Sequence, residues 1–201
     1  MNALERKRLK RMKKVERTEV AILHAAKVQF EEKGIENVTV DDIAYEAGVC
    51  RMTVFNRFKT MENLMAALFN IEIDELCQYS KAANAKGIEN IKLLFHRLIE
   101  DSVNYPKVTS KLISVLMLSK EAKNISKIEN IIMQSIKEEN DVNPLKVLDV
   151  FTVEKTTELV MGIYYGMMNH RHIKGDSFKS EEMIDEMDKA IEYLLLGGKN
   201  E

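Results

Sequence analysis

The chain has 201 residues, of which 45% are hydrophobic, and a formal net charge of −2. This length supports a substantial hydrophobic core and fits one large domain or two closely packed ones. The balanced charge excludes binding to polyanions through overall charge alone, so any such contact must come from a local concentration of basic side chains.

The composition predicts an all-α protein. Only two prolines and eight glycines interrupt the chain, and Ala, Leu, Met, Glu and Lys recur at spacings of three and four residues. Cys50 and Cys77 form no metal-binding or disulfide pattern, so we expect reduced thiols and no metal or other cofactor. There is no secretory signal and no apolar run long enough to span a bilayer, which favours a cytoplasmic location without membrane contact.

Residues 1–17 form a basic N-terminal arm. They hold eight Lys or Arg and two Glu, a local charge of +6, whereas residues 61–201 hold 17 basic and 23 acidic side chains. The arm is expected to lie along phosphates or in a minor groove of DNA. The alternative is a disordered tail that only increases solubility.

Residues 40–58, VDDIAYEAGVCRMTVFNRF, predict two short helices joined by a glycine turn. Thr39 and Asp42 are placed like a capping box at the start of the first helix. Gly48 follows its last periodic residue and is expected to adopt the left-handed conformation that reverses the chain. The segment is therefore predicted to be a helix-turn-helix.

The second helix of this segment has one face suited to DNA. Val54 and Phe58, four residues apart, are expected to point into the core. The residues left facing outward are Arg51, Met52, Thr53, Phe55, Asn56 and Lys59. A guanidinium suits guanine, an amide suits adenine, and hydroxyl and ammonium groups suit phosphates. The alternative is an ordinary helical hairpin with a solvated polar face.

The first 70 residues or so resemble the tetracycline-repressor (TetR) family of bacterial transcription regulators. The resemblance rests on ILHAAKVQFEEKG (Ile22 to Gly34), VTVDDIAYEAGV, the helix after Gly48, and FKTMENLMAALF (Phe58 to Phe69). It implies a three-helix DNA-binding domain over residues 18–60, followed by a helical bundle over 61–201 that binds a ligand and forms dimers. The DNA-contacting residues that it implies are Thr39, Arg51, Met52, Thr53, Phe55, Asn56, Arg57 and Lys59.

Several positions depart from the family pattern. Cys50 replaces the usual Ser at the N-cap of the recognition helix and is a poor acceptor for its first amides. Phe55 lacks the hydroxyl of the usual Tyr, and Arg57 stands where an aromatic residue is common, so the phosphate contacts are expected to be redistributed. Met52 replaces a small residue, and either contacts a thymine methyl or packs against the protein.

Apolar stripes and stop signals predict further helices beyond residue 60. They lie at about residues 61–82, 88–102, 112–116 and 125–140. Asn143 and Pro144 are expected to be the N-cap and first residue of a short helix through Val150.

Two long helices complete the chain, one from about Val153 to Lys174 and one ending before Gly197 and Gly198. Gly162 and Gly166, at i and i+4 on the first of them, would allow another helix to approach closely. The wide apolar face of the second helix indicates an interface, although packing within one subunit is the alternative. In the resembling family these helices pair with their copies, which implies a homodimer interface containing Gly162, Gly166, Met187, Ile191, Leu194 and Leu195.

Methionine and aromatic side chains suggest an effector pocket in the C-terminal domain, because they form adaptable apolar walls. The candidate lining residues are Phe95, His96, Met117, Phe151, Met161, Tyr165 and His170. The same residues at helical spacing would also fit a solid core. No buried cation is evident, which favours a neutral, aromatic or cationic ligand over a phosphate or an acyl-coenzyme A.

The motifs of common enzyme classes are absent from the sequence. It has no Gly-rich phosphate loop, no Gly-x-Ser-x-Gly elbow and no His-Glu-x-x-His, so no catalytic residue is assigned. His170 and His172, two residues apart on a helix, point in different directions and do not form a metal pair. The sequence therefore predicts a non-enzymatic regulator that binds a double-stranded, near-palindromic operator as a homodimer and is released by a small-molecule effector. The alternative is a helical adaptor or nucleoid-type protein that binds DNA non-specifically without a ligand.

Overall fold

The computed structural model describes residues 14–118, 125–175 and 179–197, with the side chains of residues 14 and 115–118 excepted. All regular structure in these ranges is helical, with nine α-helices and two short 3-10 helices. The all-α prediction is therefore confirmed. The chain divides into two compact units between Asn70 and Ile71.

The N-terminal unit contains three helices and the start of a fourth. The first helix runs into a 3-10 turn at Ile35–Asn37, and the division between the units falls inside the fourth helix. The helices are α1 (Lys14–Lys33), α2 (Val40–Glu46), α3 (Arg51–Phe58) and α4 (Met61–Ala83).

The core of this unit follows from helical spacing on α1. Ile22, Ala26 and Phe30, each four residues apart, are completely buried. Ile43 of α2 and Val54 of α3 are buried as well. Burial of each large apolar side chain contributes about 1.5–3 kcal/mol, and this packing holds α2 and α3 on a fixed support.

The C-terminal unit is a helical bundle in which α5 is central. The remaining helices are α5 (Gly87–Asn104), α6 (Pro106–Leu118), α7 (Ile125–Val142), α8 (Val153–Lys174) and α9 (Ser180–Leu196). Helix α5 packs against α6, α7 and α9, and Ile91, Leu94, Phe95 and Ile99 on it are completely buried. No described helix is long and apolar enough to cross a membrane.

A side chain from α7 caps the beginning of α5. The N-cap residue Lys86 supplies no side-chain hydrogen bond, and the N–H of Ile88 instead donates to the Glu139 carboxylate at 3.1 Å. Gly87 has φ +55, and a Cβ there would collide with the same carboxylate. The left-handed backbone conformation favours glycine at the start of α5, and a larger residue there would also displace the end of the Glu139 side chain.

The segment after α7 differs from the sequence prediction. Helix α7 continues to Val142, and the short piece that follows is a 3-10 helix, Lys146–Asp149, with Leu145 at its N-cap. Asn143 is not a helix cap, because its side chain donates to Glu139 at 2.8 Å. The predicted short helix starting at Pro144 was wrong, since the polar group that suggested a cap serves the preceding helix.

The apolar stripe of α9 faces the interior of its own subunit. Met187, Ile191 and Leu195 are completely buried, because α9 packs against α5, α8 and the second 3-10 helix. The expectation that this stripe is presented to a second chain needs correction for these three residues. They belong to the core of the subunit.

Candidate nucleic-acid interface and effector region

The start of α2 is held by a complete capping box, as predicted. The N–H of Asp42 donates to the Thr39 hydroxyl at 3.2 Å, and the N–H of Thr39 donates to the Asp42 carboxylate at 2.9 Å. The ammonium of Lys33 contacts the other carboxylate oxygen at 2.5 Å. The hydrogen bonds from Lys33 and Thr39 hold the pKa of Asp42 far below its usual range.

The turn between α2 and α3 depends on Gly48, which has φ +64. Its N–H donates to the carbonyl of Tyr45 at 3.1 Å, and the N–H of Val49 donates to the carbonyl of Ala44 at 2.9 Å. These bonds satisfy the last carbonyls of α2. The predicted left-handed glycine is confirmed, and it lets α3 begin two residues after Val49.

Cys50 is the N-cap of α3 and makes no side-chain bond to the first amides of the helix, as the sequence predicted. Its sulfur lies 3.1 Å from the hydroxyl of Thr53. Hydrogen bonds from Thr53 lower the pKa of the Cys50 thiol. The hydroxyl of Thr53 is thus engaged by the cap.

One face of α3 is exposed, and the other is in the core. Val54 and Phe58 are buried, whereas 59% of Met52 and 52% of Phe55 are exposed. Burial of Val54 and Phe58 was predicted and is confirmed. The remaining predicted DNA contacts on this helix and its cap are exposed at Arg51, Asn56, Arg57 and Lys59, and half-buried at Thr53.

Two of the cationic side chains on this face have acidic partners within the N-terminal unit. Arg51 Nη1 lies 2.6 Å from Asp41 Oδ2 on α2. Arg57 lies 3.8 Å from Glu19 on α1. Lys59 is the C-cap of α3 with φ +58, where the chain turns towards α4. The sequence did not reveal the pair of Arg51 with Asp41, because ten positions separate these residues.

The basic N-terminal arm lies largely outside the described residues. Residues 1–13 are not among them, and Lys14 is the first residue of α1. The proposed contact of the arm with DNA stays a prediction.

In the C-terminal unit, two of the predicted effector residues, Phe95 and Tyr165, each lie close to a third aromatic ring, that of Tyr164. Tyr164 is 5.6 Å from Phe95 and 5.7 Å from Tyr165, measured between ring centroids. The hydroxyl of Ser102 donates to the carbonyl of Leu98, and Tyr164 Oη lies 2.9 Å from the oxygen of Ser102. Tyr164 and Ser102 were missed by the sequence argument, although both occupy apolar stripes.

Burial raises the pKa of both tyrosines. It raises the pKa of Tyr164 well above its usual value, and burial together with nearby Glu129 raises the pKa of Tyr165 to about 12. Met161 is also buried, three residues before Tyr164 on the same helix. Phe95, Met161 and Tyr164 are therefore packed core side chains, and Tyr165 is half-buried beside them.

The other predicted effector residues are dispersed. His96 Nε2 lies 2.8 Å from Asp188 Oδ1 on α9, and Phe151 is 40% exposed between the second 3-10 helix and α8. His170 lines an open groove of about 560 Å³ with Gly166, Met167, Arg171 and Glu186. Met117 lies in α6, and its side chain is outside the described residues.

A polar cleft of about 410 Å³ borders α4, α5 and α7. At its floor Ser80 donates to Asn90 Oδ1 at 2.8 Å, and Asn90 Nδ2 donates to Ser135 at 2.9 Å. All three side chains are buried. Their position inside apolar stripes is the sequence signal that could have identified them.

Three of the predicted interface residues, Gly162, Gly166 and Leu194, are not completely buried. Gly162 and Gly166 are exposed, and no described atom lies within 4 Å of a Cβ built at either glycine. Leu194 is half-buried, and its neighbour Tyr193 is 72% exposed. Within the described part of the subunit, no other helix packs closely against these glycines. Their role in a dimer stays a prediction.

Part of the chain matches a known protein family. Residues 22–68 match the model of bacterial regulatory proteins of the tetR family. No curated protein sequence matches the chain.

Solved structures share the fold at low sequence identity. FadR of Bacillus subtilis in complex with stearoyl-CoA has a TM-score of 0.68 at 15% identity, covering 89% of this chain and 98% of that one. FadR of Thermus thermophilus, a TetR-family repressor in complex with lauroyl-CoA, has a TM-score of 0.63 at 18% identity, covering 91% and 96%. NalD of Pseudomonas aeruginosa, the secondary repressor of a multidrug efflux pump, has a TM-score of 0.61 at 16% identity, covering 92% and 99%.

Proposed function

We propose that the chain is a transcriptional regulator of the TetR family with an N-terminal helix-turn-helix domain, and that it acts as a homodimeric repressor released from its operator by a small molecule. The observation that carries this proposal is the exposed face of α3, which Gly48 and the buried Val54 and Phe58 hold away from the core. A regulator of this kind binds DNA and needs no catalytic group.

The operator is proposed to be a near-palindrome. Two copies of α3 in a symmetric dimer would enter successive major grooves about one DNA turn apart, ~34 Å or somewhat more. Arg51 and Asn56 are the side chains assigned to base edges, and Arg57 and Lys59 are assigned to phosphates. Thr39 at the N-terminus of α2 is assigned a further phosphate contact.

The effector is proposed to have an apolar body that lies near Phe95, Met161 and Tyr165. The aromatic contacts around Tyr164 support this choice. Because Phe95 and Met161 are buried, an aromatic or otherwise uncharged ligand would have to displace part of this packing to bind there. An acyl-CoA would also place an apolar chain there, and the two FadR complexes are the reason to test it.

Helix α4 is proposed to couple the two activities, because it contributes residues to both units. An effector can shift the DNA-binding equilibrium only by its preference for one state of the protein. A tenfold to hundredfold response would require a preference of about 1.4 to 3 kcal/mol.

The proposal can be tested by selecting bound sequences from a random DNA pool. We expect an enriched near-palindrome whose affinity exceeds that of random DNA by at least about a thousandfold at physiological salt. The same affinity for selected and random DNA would contradict the proposal and favour a non-specific DNA-binding adaptor.

Release should then be measured on the best selected sequence. The compounds are aromatic drugs, uncharged aromatic metabolites, lauroyl-CoA and stearoyl-CoA, with free coenzyme A as the control for the polar part. Release by the acyl-CoAs alone would replace the aromatic assignment. A panel in which every compound leaves binding unchanged would contradict an apolar effector site.

A further inference from the structure

An ion pair joins α2 to α3 in the helix-turn-helix, and the function proposed above does not explain it. Arg51 is the first residue of α3, and its guanidinium contacts the carboxylate of Asp41 on α2 through Nη1 at 2.6 Å. Both side chains are largely exposed, at 67% and 62%. An ion pair this exposed contributes little to folding stability.

The carboxylate of Asp41 has no part in the capping of α2. Its neighbour Asp42 forms the capping box with Thr39 and also binds Lys33. Asp41 is therefore the acidic side chain of this first turn that is directed to the recognition helix. Its contact with Arg51 joins α2 to the residue of α3 that is assigned to a base edge.

The contact uses one side of the guanidinium and leaves the other side available. Arginine carries five N–H groups, two on each Nη and one on Nε. With Nη1 on the carboxylate, the edge formed by Nε and Nη2 still presents two parallel donors. Those donors match the O6 and N7 acceptors of a guanine in the major groove.

We propose that Asp41 is a positioning residue that fixes Arg51 for selective contact with one guanine. This inference rests on the proposed function. A long side chain that is ordered before binding loses less freedom in the complex. The negative charge of Asp41 also repels every DNA backbone equally, so it weakens binding to random DNA and to the operator by the same factor.

Asp41→Asn keeps the shape of the side chain and removes its charge. We expect this variant to bind random DNA as tightly as wild type or more tightly, and to lose about two- to tenfold in discrimination at the base pair read by Arg51. Discrimination at the other operator positions should stay unchanged. Affinities for the operator and for all its single-base variants, measured at one salt concentration, supply these ratios.

The matched control is Glu46→Gln, which also removes one negative charge from α2. The Glu46 carboxylate accepts a hydrogen bond from the Gln29 side chain at 3.4 Å and forms no ion pair with Arg51. This variant should raise affinity for all sequences alike and leave every discrimination ratio unchanged. In an Arg51→Ala background, Asp41→Asn should no longer alter discrimination at that base pair, because its effect passes through Arg51. Thermal melts of each variant show whether the domain remains folded.

The outcomes separate this inference from the proposed function. A wild-type protein that selects an operator, together with an Asp41→Asn variant whose discrimination is unchanged at every position, would overturn the role of Asp41 alone. An equal loss at all positions, or a loss that persists in the Arg51→Ala background, would also overturn it. A wild-type protein without any sequence preference would overturn the proposed function and this inference together.

Discussion

The carboxylate of Asp42 connects the end of α1 to the N-cap of α2. It receives hydrogen bonds from the backbone and hydroxyl of Thr39 and from the ammonium of Lys33. These contacts stabilise its ionised form, so its pKa in the folded protein is lower than in the unfolded chain. The folded state therefore binds fewer protons, and the contribution of Asp42 to stability is lost as the pH falls.

This pH dependence is directly measurable. The difference in Tm between wild type and Asp42→Asn should be constant from about pH 8 to pH 5 and should shrink below about pH 4, near the pKa of an unperturbed Asp. In a Lys33→Met background, which removes the strongest partner, the difference should be smaller at about pH 5–8, and its shrinkage should be complete at a higher pH, because the pKa of folded Asp42 lies closer to that of the unfolded chain. A difference that stays constant down to about pH 2 would contradict the assignment.

Arg51 and Lys59 lie at opposite ends of α3 and are assigned different tasks. Arg51→Ala should weaken operator binding by about 1 to 3 kcal/mol and relax preference at one base pair. Lys59→Ala should weaken binding to all DNA sequences by the same factor. It should also reduce the slope of log affinity against log salt concentration by about one. Fluorescence anisotropy with operator and random DNA across a salt series distinguishes the two. Equal losses on both DNAs for Arg51→Ala would defeat its assignment to a base.

At the scale of elements, α8 and α9 divide their surfaces between the subunit core and the solvent. Ile191 of α9 is completely buried, whereas Gly162 and Gly166 of α8 are exposed. A charged residue at Ile191 would therefore be placed in the core and would unfold the subunit. Disruption of a dimer through this residue would be indirect.

A sharper test of the interface uses Gly166. Gly166→Leu places a bulky side chain where a Cβ meets no described atom and also improves helix propensity, so the subunit should remain folded. If α8 approaches a second chain at this glycine, the dimer should weaken and tight operator binding should be lost. Sedimentation at micromolar concentration and thermal melts measure both properties.

Ile191→Ala is the comparison. It should cost about 2–5 kcal/mol of subunit stability, because it leaves a cavity in the core. A folded Gly166→Leu variant that dimerises like wild type would show that the interface lies elsewhere.

The whole molecule has an asymmetric charge distribution despite its net charge of −2. Basic side chains are concentrated in residues 1–17, and acidic ones are in excess over residues 61–201. Such an arrangement attracts the N-terminal end to DNA and leaves the other end without that attraction. The arm is thus expected to add affinity without adding sequence preference.

Deletion of residues 1–13 tests the arm. The variant should bind operator and random DNA more weakly by the same factor, and its salt slope should be smaller, because fewer phosphates are neutralised. Affinities that match those of the full chain at every salt concentration would support a purely solubilising arm. A change in preference at A·T positions would indicate minor-groove contact instead.

The sequence by itself determined the features that depend on neighbouring residues. The capping box of Thr39 and Asp42, the left-handed Gly48 and the inward direction of Val54 and Phe58 involve separations of only a few positions. Helical geometry and backbone sterics fix such features locally. For this reason the all-α class and the exposed face of α3 could be predicted from the amino-acid order.

Tertiary structure decided which surface each apolar stripe meets. Periodicity identified a buried face on α9, but only packing showed that Ile191 faces its own subunit. In the same way, the capping of α5 by Glu139 and the pairing of Arg51 with Asp41 join residues on different helices. The physical reason is that hydrophobic burial is non-directional. An apolar stripe is stabilised by packing against any apolar surface, and the order of residues along one helix does not specify which helix provides that surface.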